Sequence, residues 1–138
     1  MRSTKGRKPR SAPTVSSLKK QADATFSLFI RWRDRGVCFT CGKKADIKAM
    51  QCGHFVSRSF NSLRYDERNN HCQCRRCNIF LYGNMSEYAE RMVEKYGAGI
   101  LPELNRKKRE VKQFTVPELM KVIEYYKKKL EEISHDLL

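Results

Sequence analysis

The chain has 138 residues, 40% of them hydrophobic, and sets 29 Lys and Arg against 15 Asp and Glu for a formal charge of +14. That length allows one modest core, no apolar run approaches the roughly 18 residues that span a bilayer, and no apolar signal core is present, so the expectation is a soluble intracellular protein. The charge points to a polyanion, above all nucleic acid held through its phosphates, and the missing export signal argues against a disulfide framework for the six cysteines.

Residues 1–17 carry five basic residues, no acid and two prolines. They are predicted to be a flexible basic arm, with a merely solubilising tail as the plain alternative. Residues 18–138 are predicted to form a single domain. From Ser17, a candidate cap, to about Arg35, Ala22, Phe26, Phe29, Ile30 and Arg33 recur at helical spacing. Arg31, Arg33 and Arg35 face either solvent or phosphate. Gly36 ends this helix. A strand is expected within 47–55, then the polar loop VSRSFNSLR, then a second strand-like segment through His71. A helix follows from about Arg75, and another spans 85–96, capped by Asn84 or Ser86 and broken by Gly97 and Gly99. The last helix, about 116–135, has Pro117 near its start. Its stripe of Leu119, Ile123, Tyr126, Leu130, Ile133 and Leu137 either packs on its own domain or offers a homodimer seam.

Two Cys-x-x-Cys pairs, Cys38/Cys41 and Cys74/Cys77, frame the middle of this α+β pattern. A Cys-x-x-Cys turn presents two thiolates to one ion, so two pairs are predicted to close a tetrahedral zinc site. Four thiolates leave no open coordination position, which makes such a zinc structural. A redox role is the alternative for either pair alone. Cys52 and Cys72 fall outside the pairs and read as small buried apolar residues.

His54, Asn69 and Asn78, threaded in that order through the cysteine pairs, resemble the HNH (ββα-metal) nuclease motif. The segments FIRWRDRGVCFTCG, CGHF, LRYDERNNHCQCRRCN and YGNMSEY are similar to the phage lambda NinG (Rap) family of recombination endonucleases. The resemblance implies a zinc-stapled ββα-metal core with flanking N- and C-terminal helices. It implies a metal-dependent DNA endonuclease acting on branched recombination intermediates, Holliday junctions or D-loops, in the cytoplasm of a bacterial host. His54 would be the general base, Asn69 the brace of the intervening loop, and Asn78 a hard oxygen ligand for Mg²⁺ or Mn²⁺. Many HNH members carry a second ligand just before the base, where this chain has Gly53. His71 either supplies the missing ligand or is a hydrogen-bonded structural histidine. Arg58, Arg64 and Arg68 are candidates for gripping the scissile strand, against the plain reading of a solvated charged face. Tyr82 and Tyr88 either stack on bases or belong to the core. The rival functions are a zinc-ribbon DNA-binding module without catalysis and a less selective HNH nuclease.

Overall fold

The computed structural model describes residue 6 and residues 11–136, the last two by backbone alone. The expected arm therefore lies largely outside the described residues. Its C-terminal boundary is corrected, because helix α1 already begins at Val15 and runs to Arg33. Thr14, not Ser17, is the cap: its hydroxyl accepts from the Ser17 backbone N–H at 3.1 Å, and the Ser17 hydroxyl accepts from the Thr14 N–H at 3.0 Å. This reciprocal box satisfies two of the free amides at a helix start. Leu18, Ala22, Phe26, Phe29 and Ile30 form the buried stripe of α1, as their spacing predicts.

Strands β1 (Met50–His54) and β2 (Asn70–Cys74) form a two-stranded antiparallel sheet in which His54 faces Asn70 and Gly53 faces His71. A short helix, α2 (Asn61–Arg64), lies in the loop between them. After β2 comes a wide π-type turn, Arg76–Phe80, in place of the longer helix expected from Arg75. Tyr82, Gly83 and Asn84 then occupy the left-handed region at φ of 51°, 88° and 50°. They reset the chain direction before α3 (Met85–Tyr96). Asn84 stands at the cap position but makes no capping hydrogen bond; its amide instead points to Cys77 Sγ at 3.7 Å.

Helix α4 (Ile100–Lys108) was not legible in the sequence. It is short and carries Pro102 in its first turn, where proline is tolerated. Helix α5 (Val116–Asp136) closes the chain.

All five residues of β2 are buried although three are polar. Both sheet faces are covered, and the Asn70 amide, both His71 ring nitrogens and the Gln73 Nε2 find partners, while Gln73 Oε1 finds none. On one side α1 and α5 pack around Phe26, Phe29, Ile30 and Tyr126, with Cys52 against the cluster. On the other, Tyr88, Met92, Ile100, Leu104 and Leu63 form a second core. Arg33 is neither solvated nor free for phosphate: it donates to the carbonyls of Glu67 at 2.9 Å and Asn70 at 2.7 Å, while Asp34 accepts from the Cys72 N–H at 2.8 Å.

Helix α5 uses much of its apolar stripe within its own domain. Leu119, Ile123 and Tyr126 are buried within the chain against α1, and Leu130 and Ile133 pack onto that cluster. Leu137 lies outside the described residues.

Candidate metal centre and adjoining cleft

The two cysteine pairs meet at one end of the sheet. Residues 38–42 form a tight knuckle in which Gly42, at φ 79°, donates its N–H to the Cys38 carbonyl at 2.9 Å. Phe39 N–H donates to the Cys72 carbonyl at 2.8 Å, docking the knuckle on β2 just before Cys74. The sulfurs of Cys38, Cys41, Cys74 and Cys77 consequently lie within 4.8 Å of one another, close enough to hold one metal ion such as zinc. The Cys41–Cys74 sulfur separation is 3.7 Å. A tetrahedral ZnS₄ unit with bonds of about 2.3 Å has edges of about 3.8 Å, so that pair already has the spacing of two ligands. Cys72 is fully buried beside the cluster, and burial pushes its thiol up to about 12, as it does that of Cys52. Both therefore stay protonated thiols, unlike a metal-bound thiolate.

His54 closes β1 at the wall of a cleft of about 270 Å³, lined also by Asp23, Arg31, Gln51, Cys52 and Arg58. Its Nδ1 is buried and makes no hydrogen bond to the protein. Burial first, and then the neighbouring Arg58 charge, pull the imidazole down to about 4, so it is neutral at physiological pH. Asn69 is fully buried and holds Val56 from both sides: its Oδ1 accepts from the Val56 N–H at 2.8 Å and its Nδ2 donates to the Val56 carbonyl at 2.9 Å. The chain leaving His54 is thereby clamped. Asn78, in the π-type turn, donates through Nδ2 to Gln51 Oε1 at 2.8 Å, which leaves its Oδ1 as a free oxygen donor.

The structure does not bring His71 to this site. Paired residues of an antiparallel ladder point to the same face, so His54 lies with Asn70, and His71 with Gly53 on the opposite face. His71 is fully buried, stacked on Phe39 with ring centroids 3.9 Å apart. Both ring nitrogens are engaged, Nδ1 with Tyr88 Oη at 3.0 Å and Nε2 with Tyr96 Oη at 2.8 Å. Because Tyr88 Oη donates to the Gly53 carbonyl at 2.8 Å, it must accept from His71 Nδ1–H, and Nε2 then accepts from Tyr96. His71 is a structural histidine, and Tyr88 is core. Gly53 offers no room for a ligand either: a Cβ there would lie 1.9 Å from Gln73 Oε1.

Two of the three candidate phosphate-gripping arginines are spent internally. Arg64 forks onto Asp23, at 2.8 Å from Nε and 2.5 Å from Nη2. Arg68 reaches Glu103 at 2.9 Å and Asp66 at 3.3 Å. Only Arg58 remains available, its side chain 62% exposed and 3.8 Å from Asp23. Sequence reasoning missed Asp23 and Gln51. Asp23 is the first acidic residue of a strongly basic segment and sits on the apolar-striped helix, and this oddity was its one signal.

Burial of neutral His54 and His71 makes the fold acid-sensitive. His71 is held down to about 3, first by burial and then by Arg33. The unfolded chain takes up protons below about pH 6.5 where the folded chain does not, so stability should fall as pH drops through that value and keep falling towards about pH 4 and then 3. Urea midpoints at about pH 7 and about pH 5 should show this decline, and His71→Gln should shrink it. An equal decline in the variant would assign the acid sensitivity elsewhere.

Among the described residues no helix is long and apolar enough to cross a membrane. Fold and site together define a small basic α+β protein, built on a short hairpin and a four-cysteine cluster able to hold a metal ion. The chain belongs to the family of the bacteriophage lambda NinG protein, whose family model matches residues 2–136. It is 31% identical over 116 residues to Protein ninG of Salmonella phage P22, covering 83% of this chain and 56% of that protein. It is 29% identical over 118 residues to Protein ninG of Escherichia phage lambda, covering 84% and 57% respectively. The chain thus spans a little over half the length of these relatives. No solved structure matches it.

Proposed function

We propose that this chain is an HNH-type, metal-dependent DNA endonuclease of phage recombination, acting on branched DNA. The observation that supports it best is the grouping around β1. A neutral histidine sits at the strand end in a cleft with an exposed arginine, a buried asparagine clamps the chain just beyond it, and Asn78 is tied to the same strand through Gln51.

In this reading His54 takes a proton from the attacking water, for which a neutral imidazole is required. Asn69 holds Val56 so that the imidazole keeps its aim, Gln51 orients the Asn78 amide, and Arg58 meets a phosphate of the scissile strand. Asn78 Oδ1 would hold Mg²⁺ or Mn²⁺, which keeps several waters and supplies charge stabilisation at the phosphate when bound. The cluster of Cys38, Cys41, Cys74 and Cys77 would hold a structural zinc.

A non-catalytic DNA-binding module is favoured by one specific observation: Gly53 and His71 are both unavailable, leaving a single neutral amide oxygen as protein ligand. Labelled linear, forked and four-way DNA incubated with the purified protein, with and without Mg²⁺ or Mn²⁺, discriminates the readings. Metal-dependent cutting with preference for branched DNA is expected. Binding without cutting in either metal would install the module, and equal cutting of linear and four-way DNA across a salt series would leave a general nuclease.

A further inference from the structure

Among the described residues, the most exposed apolar stretch follows Asn78 directly. Ile79 is 46% exposed, Phe80 65%, Leu81 39% and Tyr82 89%. Four consecutive apolar side chains in water are unusual for a soluble surface, where a contiguous apolar patch marks a contact site. Nor is the segment loose. The Leu81 N–H donates to the Arg76 carbonyl at 2.8 Å, Gly83 N–H to the Cys77 carbonyl at 2.9 Å, and Asn84 N–H to the Leu81 carbonyl at 2.8 Å. Buried Gln73 anchors it from beneath, donating to the Gly83 carbonyl at 2.9 Å. Tyr82 is held at φ 51°, a conformation uncommon for a bulky residue, with its ring aimed away from the protein.

The flanks are cationic. Arg75 and Arg76 are exposed, and the Arg75 guanidinium lies 5.7 Å from the centroid of the Phe80 ring. Aromatic rings beside arginines on a chain of +14 match unstacked nucleobases, whose π-faces stack on the rings while the guanidiniums meet phosphates. A protein partner would account for the apolar patch but not for the excess of positive charge around it. In intact duplex the bases are already stacked and closed to such a loop. At a branch point or in a single-stranded gap they are not.

We propose that the loop Ile79–Tyr82 is a base-stacking wedge that engages unpaired or unstacked bases where DNA strands branch. The inference rests on the DNA-binding part of the proposed function and not on its chemistry. Because Asn78 directly precedes the loop, the candidate metal ligand and the base contact belong to one segment.

The test uses the full chain without added divalent ion, so that no strand is cut. A four-way junction and a matched linear duplex each carry 2-aminopurine, at the branch in the junction. Wild-type protein should change the branch fluorescence and bind the junction more tightly than the duplex. Phe80→Ser combined with Tyr82→Asn removes both rings while asparagine keeps the left-handed turn. It should lower junction affinity by about tenfold or more, leave duplex affinity within about twofold, and erase the fluorescence change. Tyr82→Asn alone alters a side chain that is almost wholly exposed, so it gives the same comparison if the double variant melts early. Equal losses on both DNAs, or none, overturn the wedge. So does a wild-type dimer in sedimentation that the variant abolishes, since the patch would then be a protein interface. If the wedge signature appears but Mg²⁺ and Mn²⁺ never elicit cutting, the wedge stands and the nuclease reading falls.

Discussion

Stripping metal from the four-cysteine cluster with a strong chelator is expected to unfold the protein. The cluster joins the knuckle at residues 38–42 to the end of β2 and the π-type turn, alongside the Phe39 contacts to Cys72 and His71 and the Gln73–Thr40 hydrogen bond. Its hydrophobic complement is five buried residues, four of them cysteines. Structural zinc contributes about 10–16 kcal/mol in small zinc folds, as much as the whole stability of an ordinary domain of this size. Metal analysis should return one zinc per chain, and far-ultraviolet circular dichroism should collapse on chelation. Cys74→Ser should lose both metal and fold. Cys72→Ser leaves the ligand set intact, so it should keep the metal and cost about 1–3 kcal/mol for a poorly paired buried hydroxyl. A chain that remains folded and free of metal would contradict the assignment.

His54→Ala should abolish cleavage while leaving DNA affinity nearly unchanged. General bases contribute about 10²–10⁴-fold in rate, and a neutral imidazole half-buried in the cleft adds little to a grip made by cations. Arg58→Gln should show the opposite pattern, weakening binding and flattening its salt dependence, because Arg58, unlike Arg64 and Arg68, is largely exposed and makes no hydrogen bond to a carboxylate, with Asp23 at 3.8 Å. Gln51→Leu would remove the partner of Asn78 and should raise the metal concentration needed for half-maximal rate. Wild-type cleavage by His54→Ala would move the chemistry to another residue.

The local signals in the chain were strong where the physics is local. Two Cys-x-x-Cys turns mark a cluster because each brings its own pair of sulfurs together by backbone geometry alone, and the sulfurs do meet. The buried positions of α1 follow from spacing, since a helix's faces depend only on its period. The span of α3 followed from the YGN before it and Gly97 after it, although Asn84 makes no capping hydrogen bond. Positive charge and the absence of a long apolar helix are likewise matters of composition.

What depended on the three-dimensional arrangement was the fate of individual polar side chains. His71 and His54 look equivalent in sequence, two histidines on two strands, yet strand register puts them on opposite faces, one among tyrosine hydroxyls and the other in a cleft. Arg64 and Arg68 read as free cations until Asp23 arrives from α1 and Glu103 from α4. Gly53 reads as a missing ligand until Gln73 is seen lying across it. The α5 stripe is compatible with a partner or with its own domain, and only the fold shows that Leu119, Ile123 and Tyr126 are buried against α1. In each case the side chain's chemistry is written in the sequence, but its role depends on which distant residue desolvates or neutralises it, and only chain folding brings that residue near.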